Sequence, residues 1–144
     1  MSAEENKAVI RRFIEEVFNQ RNVDAVDTFM ASDYVDHVVP PGVPPTRAGF
    51  KQFISLFLTA FPDFHYTIED EIAEGDTIVN RLTARGTQQG ELQGIPATGK
   101  QATWSEIHIG RMASGQLVEH WGTIDQLGML QQLGVIPMPG QPDA

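Results

Sequence analysis

The sequence contains no cysteine, which excludes disulfides, thiolate zinc sites and thiol nucleophiles together. Basic residues are scarce: ten Lys and Arg stand against nineteen Asp and Glu, a formal charge of −9 with neutral His. A surface that acidic repels a phosphate backbone, so nucleic acid is not an expected partner. No apolar run approaches the roughly 20 residues that cross a bilayer, and no membrane contact is expected. The polar start Met1–Lys7 lacks the positive-then-apolar order of a secretory signal. Thr98-Gly99-Lys100 is followed by Gln101, which breaks the phosphate-loop pattern, and neither His-Glu-x-x-His nor Gly-x-Ser-x-Gly occurs. What remains is one soluble, cytoplasmic domain over residues 1–137, with a tail over 138–144.

The first third reads helical. Ser2 with Glu5 three residues on forms a capping-box pattern. Val9, Ile10, Phe13, Ile14, Val17 and Phe18 then draw one apolar stripe. Val23, Val26, Phe29 and Met30 predict a short second helix. Four prolines between Pro40 and Pro45 predict a stiff loop. Thr46 caps a third helix whose apolar face carries Phe50, Phe53, Ile54, Phe57 and Leu58. From Tyr66 the period changes to two. Strands over 66–73 and 77–85 flank Glu74-Gly75-Asp76, and strands over 101–112 and 116–125 flank Ala113-Ser114-Gly115. A short helix over 126–133 ends at Gly134. Helices followed by antiparallel strands imply an α+β domain with the helices on one face of the sheet.

The strands carry polar residues where a core would be apolar. Trp104, Glu106 and His108 share one face of their strand, opposite Ile107 and Ile109. Simple alternation puts Leu117, Glu119, Trp121, Thr123 and Asp125 on one face of the last strand and Val118, His120, Gly122 and Ile124 on the other. Carboxylates and a tryptophan sharing a face suggest a pocket lining, since a buried carboxylate must be paired, neutral or functional; the wet side of a sheet is the alternative. Asp125 sits where strand passes into helix and could cap that helix or act chemically. His37, after Asp36, is fixed by the stiff loop and could reach a ligand or stand in solvent. Glu106, His108, Asp125 and His37 lack dense ligand spacing, so no metal is expected.

The segments Gly86–Lys100, Ile107–Met112, Gly115–Trp121 and Asp125–Gly134, with Tyr34-Val35-Asp36-His37 upstream, resemble the SnoaL-like polyketide cyclase family, also described as predicted ester cyclases, across about residues 4–136. The resemblance implies the cone-shaped α+β barrel of nuclear transport factor 2-like proteins, in which a curved antiparallel sheet wraps a long helix around an apolar pocket. It implies cofactor-free ring closure of an apolar, carbonyl-containing small molecule by intramolecular aldol chemistry. By motif position it gives Asp125 the general acid/base role, with His108 as a neighbour; His37 or His108 could donate to the developing oxyanion. Trp104, Trp121, Glu119, Glu106, Asp36, Tyr34, Phe53 and Phe57 are expected to contact substrate. Gln88 stands where members often carry His. An epoxide hydrolase, a ketosteroid-type isomerase or a non-catalytic binding domain would use the same cone. An epoxide hydrolase would need Arg, such as Arg81 or Arg85, beside the acid. Outward Ile107 and Ile109 would favour a homodimer.

Overall fold

Ser2 closes the first turn of α1 (Ala3–Phe13) reciprocally: its Oγ accepts from the Glu5 amide at 3.1 Å, and its own amide donates to Glu5 Oε1 at 3.2 Å. The computed structural model describes residues 1–137 together with Pro139 and Gly140; of the expected tail, Met138 and residues 141–144 lie outside the described residues. The helix runs on as one π-helical segment, Ile14–Asn19. Its wider turn keeps Ile14, Val17 and Phe18 buried with Ile10 and Phe13 on the same side.

The predicted second helix is shorter than its apolar pattern. It is α2 (Val26–Phe29), and Met30 already begins a strand, β1 (Met30–Asp36), which periodicity did not reveal. The proline loop follows, then α3 (Arg47–Ala60), whose first turn is capped by Thr46 Oγ1 accepting from the Gly49 amide at 3.1 Å. Two hairpins come next, β2 (His65–Glu74) with β3 (Thr77–Thr87) and β4 (Gln101–Ala113) with β5 (Gln116–Ile124), and then α4 (Gln126–Gln132).

These strands form one curved sheet in the order β1-β5-β4-β3-β2. Strands β2 to β5 pair antiparallel, and β1 lies parallel to β5 at the edge. The helices cover the inner face. Phe13 meets Phe18 and Phe29 edge-on, and Phe18 meets Tyr66 of β2 at 4.9 Å between ring centroids. Ile107, Ile109 and Trp121 face outward and are partly exposed. Among the described residues the register shifts in three places, one of them in β1 between Met30 and Val35. In β2 the register slips at Glu69, between the Ile68–Leu82 and Asp70–Arg81 pairs; in β5 it slips at Val118, between the Met112–Leu117 and Arg111–Glu119 pairs. Among the described residues no helix is long and apolar enough to cross a membrane.

Candidate active site

The helices and the concave sheet leave a cavity of about 520 Å³ between them. Its wall is mostly apolar: Phe13, Phe18, Phe50, Phe53, Ile54 and Phe57 from the helices, with Pro40, Pro41 and Val43 from the proline loop. Against this wall one line of polar side chains crosses three strands. Tyr34 Oη donates to Asp36 Oδ2 at 2.8 Å. Asp36 Oδ1 faces His120 Nδ1 at 2.9 Å, His120 Nε2 faces His108 Nδ1 at 2.7 Å, and His108 Nε2 faces Glu106 Oε1 at 2.7 Å. Glu106 ends the line, accepting from Tyr66 Oη at 2.6 Å and from Trp104 Nε1 at 2.7 Å.

Backbone geometry sets this arrangement. The parallel edge strand puts Asp36 in register with His120, and the β4–β5 ladder puts His108 opposite Gly122. A Cβ at residue 122 would lie 2.6 Å from His108 Nδ1 and 3.0 Å from His120 Nε2, so only glycine leaves room for the two rings to meet. The bulge at Val118 does the rest. It shifts the phase of β5 so that Leu117 and, beyond the bulge, His120 and Gly122 face inward, while Glu119 and Trp121 face outward.

Three hydrogen bonds link the four central groups, and each needs one proton. With both carboxylates ionised, those three protons sit on four ring nitrogens, which makes the histidine pair an imidazole–imidazolium. With Glu106 protonated instead, both rings are neutral. Either way the chain carries three protons and one net negative charge, and moving one proton along a bond converts one form into the other. Burial raises the Asp36 carboxyl, but the hydrogen bond and charge of His120, the Val38 amide at 3.0 Å and the Tyr34 hydroxyl outweigh it and hold the group below the usual carboxylate range. Burial and the adjacent carboxylates push the Tyr34 and Tyr66 phenols upward, which keeps both as donors.

Of the residues expected to form the site, His108, Glu106, Asp36, Tyr34, Phe53 and Phe57 line the cavity. Asp125 does not. Its carboxylate is exposed and its Oδ1 accepts from the Gly128 amide at 2.9 Å, so it caps α4 and stands outside the cavity. His37, Glu119 and Trp121 also lie elsewhere, on the outer side of β5. There His37 stacks on Trp121 at 4.8 Å, and Glu119 bridges His37 Nε2 at 2.8 Å and Arg111 Nε at 2.6 Å. The His37 and Arg111 bonds hold the Glu119 carboxyl low. Trp104 is not a cavity wall; it packs behind on Phe61 and Phe64 and supports Glu106.

Alternation alone put His120 on the face opposite the other candidates, because a bulge is invisible to it; Tyr66 and Asn80 also line the cavity and were read only as strand residues. Gln88 is fully buried and staples the loop over 95–98: its Nε2 donates to the Ile95 and Pro96 carbonyls, and its Oε1 accepts from Thr98. Among the described residues no Lys or Arg lines the cavity, and Arg81 pairs with Asp70 outside it. Among them, too, no three His, Asp or Glu side chains converge as a metal site would require.

A family model described as SnoaL-like polyketide cyclase matches residues 8–133. The aklanonic acid methyl ester cyclase DnrD of Streptomyces peucetius is 29% identical over 129 residues, covering 88% of this chain and 88% of that protein. The nogalonic acid methyl ester cyclase of Streptomyces nogalater is 27% identical over 119 residues, covering 81% of this chain and 89% of that one. The solved structure of TsrD from Streptomyces laurentii superposes with a TM-score of 0.86 at 26% identity, covering 94% of this chain and 99% of its own.

Proposed function

Because this chain belongs to the SnoaL-like polyketide cyclase family, we propose that it closes a ring in an uncharged, carbonyl-bearing polyketide by intramolecular aldol addition, with the His108–His120 pair as its acid/base group. The observation that carries this reading is the unbroken line from Asp36 through both histidines to Glu106 on the wall of an apolar cavity. The rings are the accessible part of that line: the His108 and His120 side chains are 25% and 18% exposed, whereas Glu106 and Asp36 are 4% and 6%. The carboxylates therefore orient the rings and balance their charge, and a ring nitrogen released from the His108–His120 bond meets the ligand.

In the reaction the His108–His120 hydrogen bond opens, and the ring nitrogen that accepted in it removes a proton from a carbon next to a carbonyl. The resulting enolate attacks a second carbonyl carbon, forming the C–C bond, and the new alkoxide takes a proton back from the histidine pair. The product is an isomer of the substrate, and no external reductant or oxidant is needed. The cavity contributes by folding the chain so that both carbons meet. Among the described residues the lining holds no Lys or Arg, and two carboxylates already share the histidine pair, which supports an ester rather than a free acid as ligand, since a third carboxylate would be left without a partner.

The test is to incubate the protein with aklanonic acid methyl ester and with nogalonic acid methyl ester, and to look for a product of equal mass and altered absorbance. Ring closure that falls at least about 10²-fold in His108→Gln, with ligand affinity kept, supports the reading. Both esters recovered unchanged at enzyme excess would count against it.

A further inference from the structure

Asn80 lies beside the proton-carrying line without belonging to it. It stands midway along β3, directly opposite His108 on β4 and Glu71 on β2. It is 4% exposed, yet it lines the cavity. Two neighbours fix which way its amide points. The bulge at Glu69 turns Glu71 toward the inner face, where Glu71 Oε2 accepts from Asn80 Nδ2 at 3.0 Å. The other Glu71 oxygen is held by Arg11 of α1 at 2.6 Å. A carboxylate bridged to a guanidinium has no hydrogen to give. The amide therefore cannot turn over: Nδ2 is committed to Glu71, and Oδ1 is directed away from it. Among the described residues Oδ1 accepts no hydrogen bond, and it is not sealed from the cavity either. A nearly buried amide oxygen left in this way is an acceptor waiting for a donor.

We propose that Asn80 Oδ1 is a ligand-orienting acceptor that takes a hydrogen bond from a phenolic or enolic hydroxyl of the bound molecule and holds that end of it next to His108. This deepens the cyclase reading and rests on it only in taking the cavity as the ligand site. The chemistry recognised is an uncharged hydroxyl; a ketone or an ether at the same point would set two acceptors against each other.

The pair 2-naphthol and 2-methoxynaphthalene isolates the hydroxyl. Both are uncharged at neutral pH, both fit a cavity of about 520 Å³, and both report binding by their own fluorescence. In the wild type the naphthol should bind about tenfold tighter than its methyl ether, the preference one hydrogen bond commonly gives. In Asn80→Leu the preference should fall below about threefold while methyl ether affinity is kept or improved. In Glu71→Gln, Asn80 stays in place but loses the group that fixes its orientation, since a glutamine can donate or accept; here too the preference should fall below about threefold. Melting curves identify which variants are folded, and Glu71→Gln carries the test if Asn80→Leu is not. A tenfold preference retained in either folded variant overturns the role of Asn80 and leaves the cyclase reading standing. Failure of both probes to bind the wild type would overturn the cavity as a ligand site, and both readings with it.

Discussion

Asp36 accepts three hydrogen bonds, from Tyr34, His120 and the Val38 amide, and through them fixes one end of the histidine pair. Asp36→Asn keeps the size but removes the charge that balances an imidazolium, so turnover should drop about 10²–10⁴-fold. Steady-state assay of the folded variant measures this, and a loss of less than about threefold would remove Asp36 from the mechanism. The same residue makes stability depend on pH. Its folded carboxyl titrates below its unfolded value of about 3.9. The stabilisation is therefore fully present above that value and is lost as the pH falls through the depressed folded one. Urea midpoints compared at neutral pH and below about pH 3 should fall more steeply in the wild type than in Asp36→Asn. Asp125→Ala separates the two acids: it should lower stability by about 0.5–2 kcal/mol through loss of the α4 cap and leave turnover unchanged. Position in the sequence could not settle the role of Asp125, because a strand-to-helix junction suits a cap and a catalytic group equally.

At the scale of elements, the histidine pair depends on how β5 is built. The slip at Val118 aims His120 inward, and Gly122 leaves the space in which the rings touch. Gly122→Ala should part the rings, since its Cβ would sit 2.6 Å from His108 Nδ1, and should reduce turnover about as much as loss of one histidine, on the order of 10²-fold. Imidazole ¹⁵N NMR would check this by the loss of the shared-proton signal between the rings. The hairpins were legible because period-two alternation and Gly-containing turns announce themselves, and the helices because Ser2 and Thr46 cap them as their spacing implies. Strand β4 was legible as well: Trp104, Glu106 and His108 share the inner side as alternation requires. Strand β1 and the face of His120 were not. A parallel edge strand is defined by its partner, and a bulge depends on ladder hydrogen bonds that no single segment encodes.

For the whole molecule, charge and cavity act together. A protein of net charge −9, whose cavity lining includes two carboxylates and, among the described residues, no Lys or Arg, should discriminate against anions. Methyl 2-naphthoate should bind at least about tenfold tighter than 2-naphthoate at neutral pH. Titration calorimetry measures the difference, and equal affinities would show that a positive group reaches the ligand. Pro40, Pro41 and Val43 of the loop of four prolines form one wall of the cavity. Pro44 presents its carbonyl to the first turn of α3 so closely that a Cβ at Gly49 would collide with it, and the loop's two roots are tied by the His37 amide to the His120 carbonyl and by the Asp36 amide to the Pro45 carbonyl. Such a wall has little freedom left to surrender when a guest arrives. It should act as a fixed mould rather than a closing jaw, so that guests are sorted by how well their girth suits a wall that does not follow them.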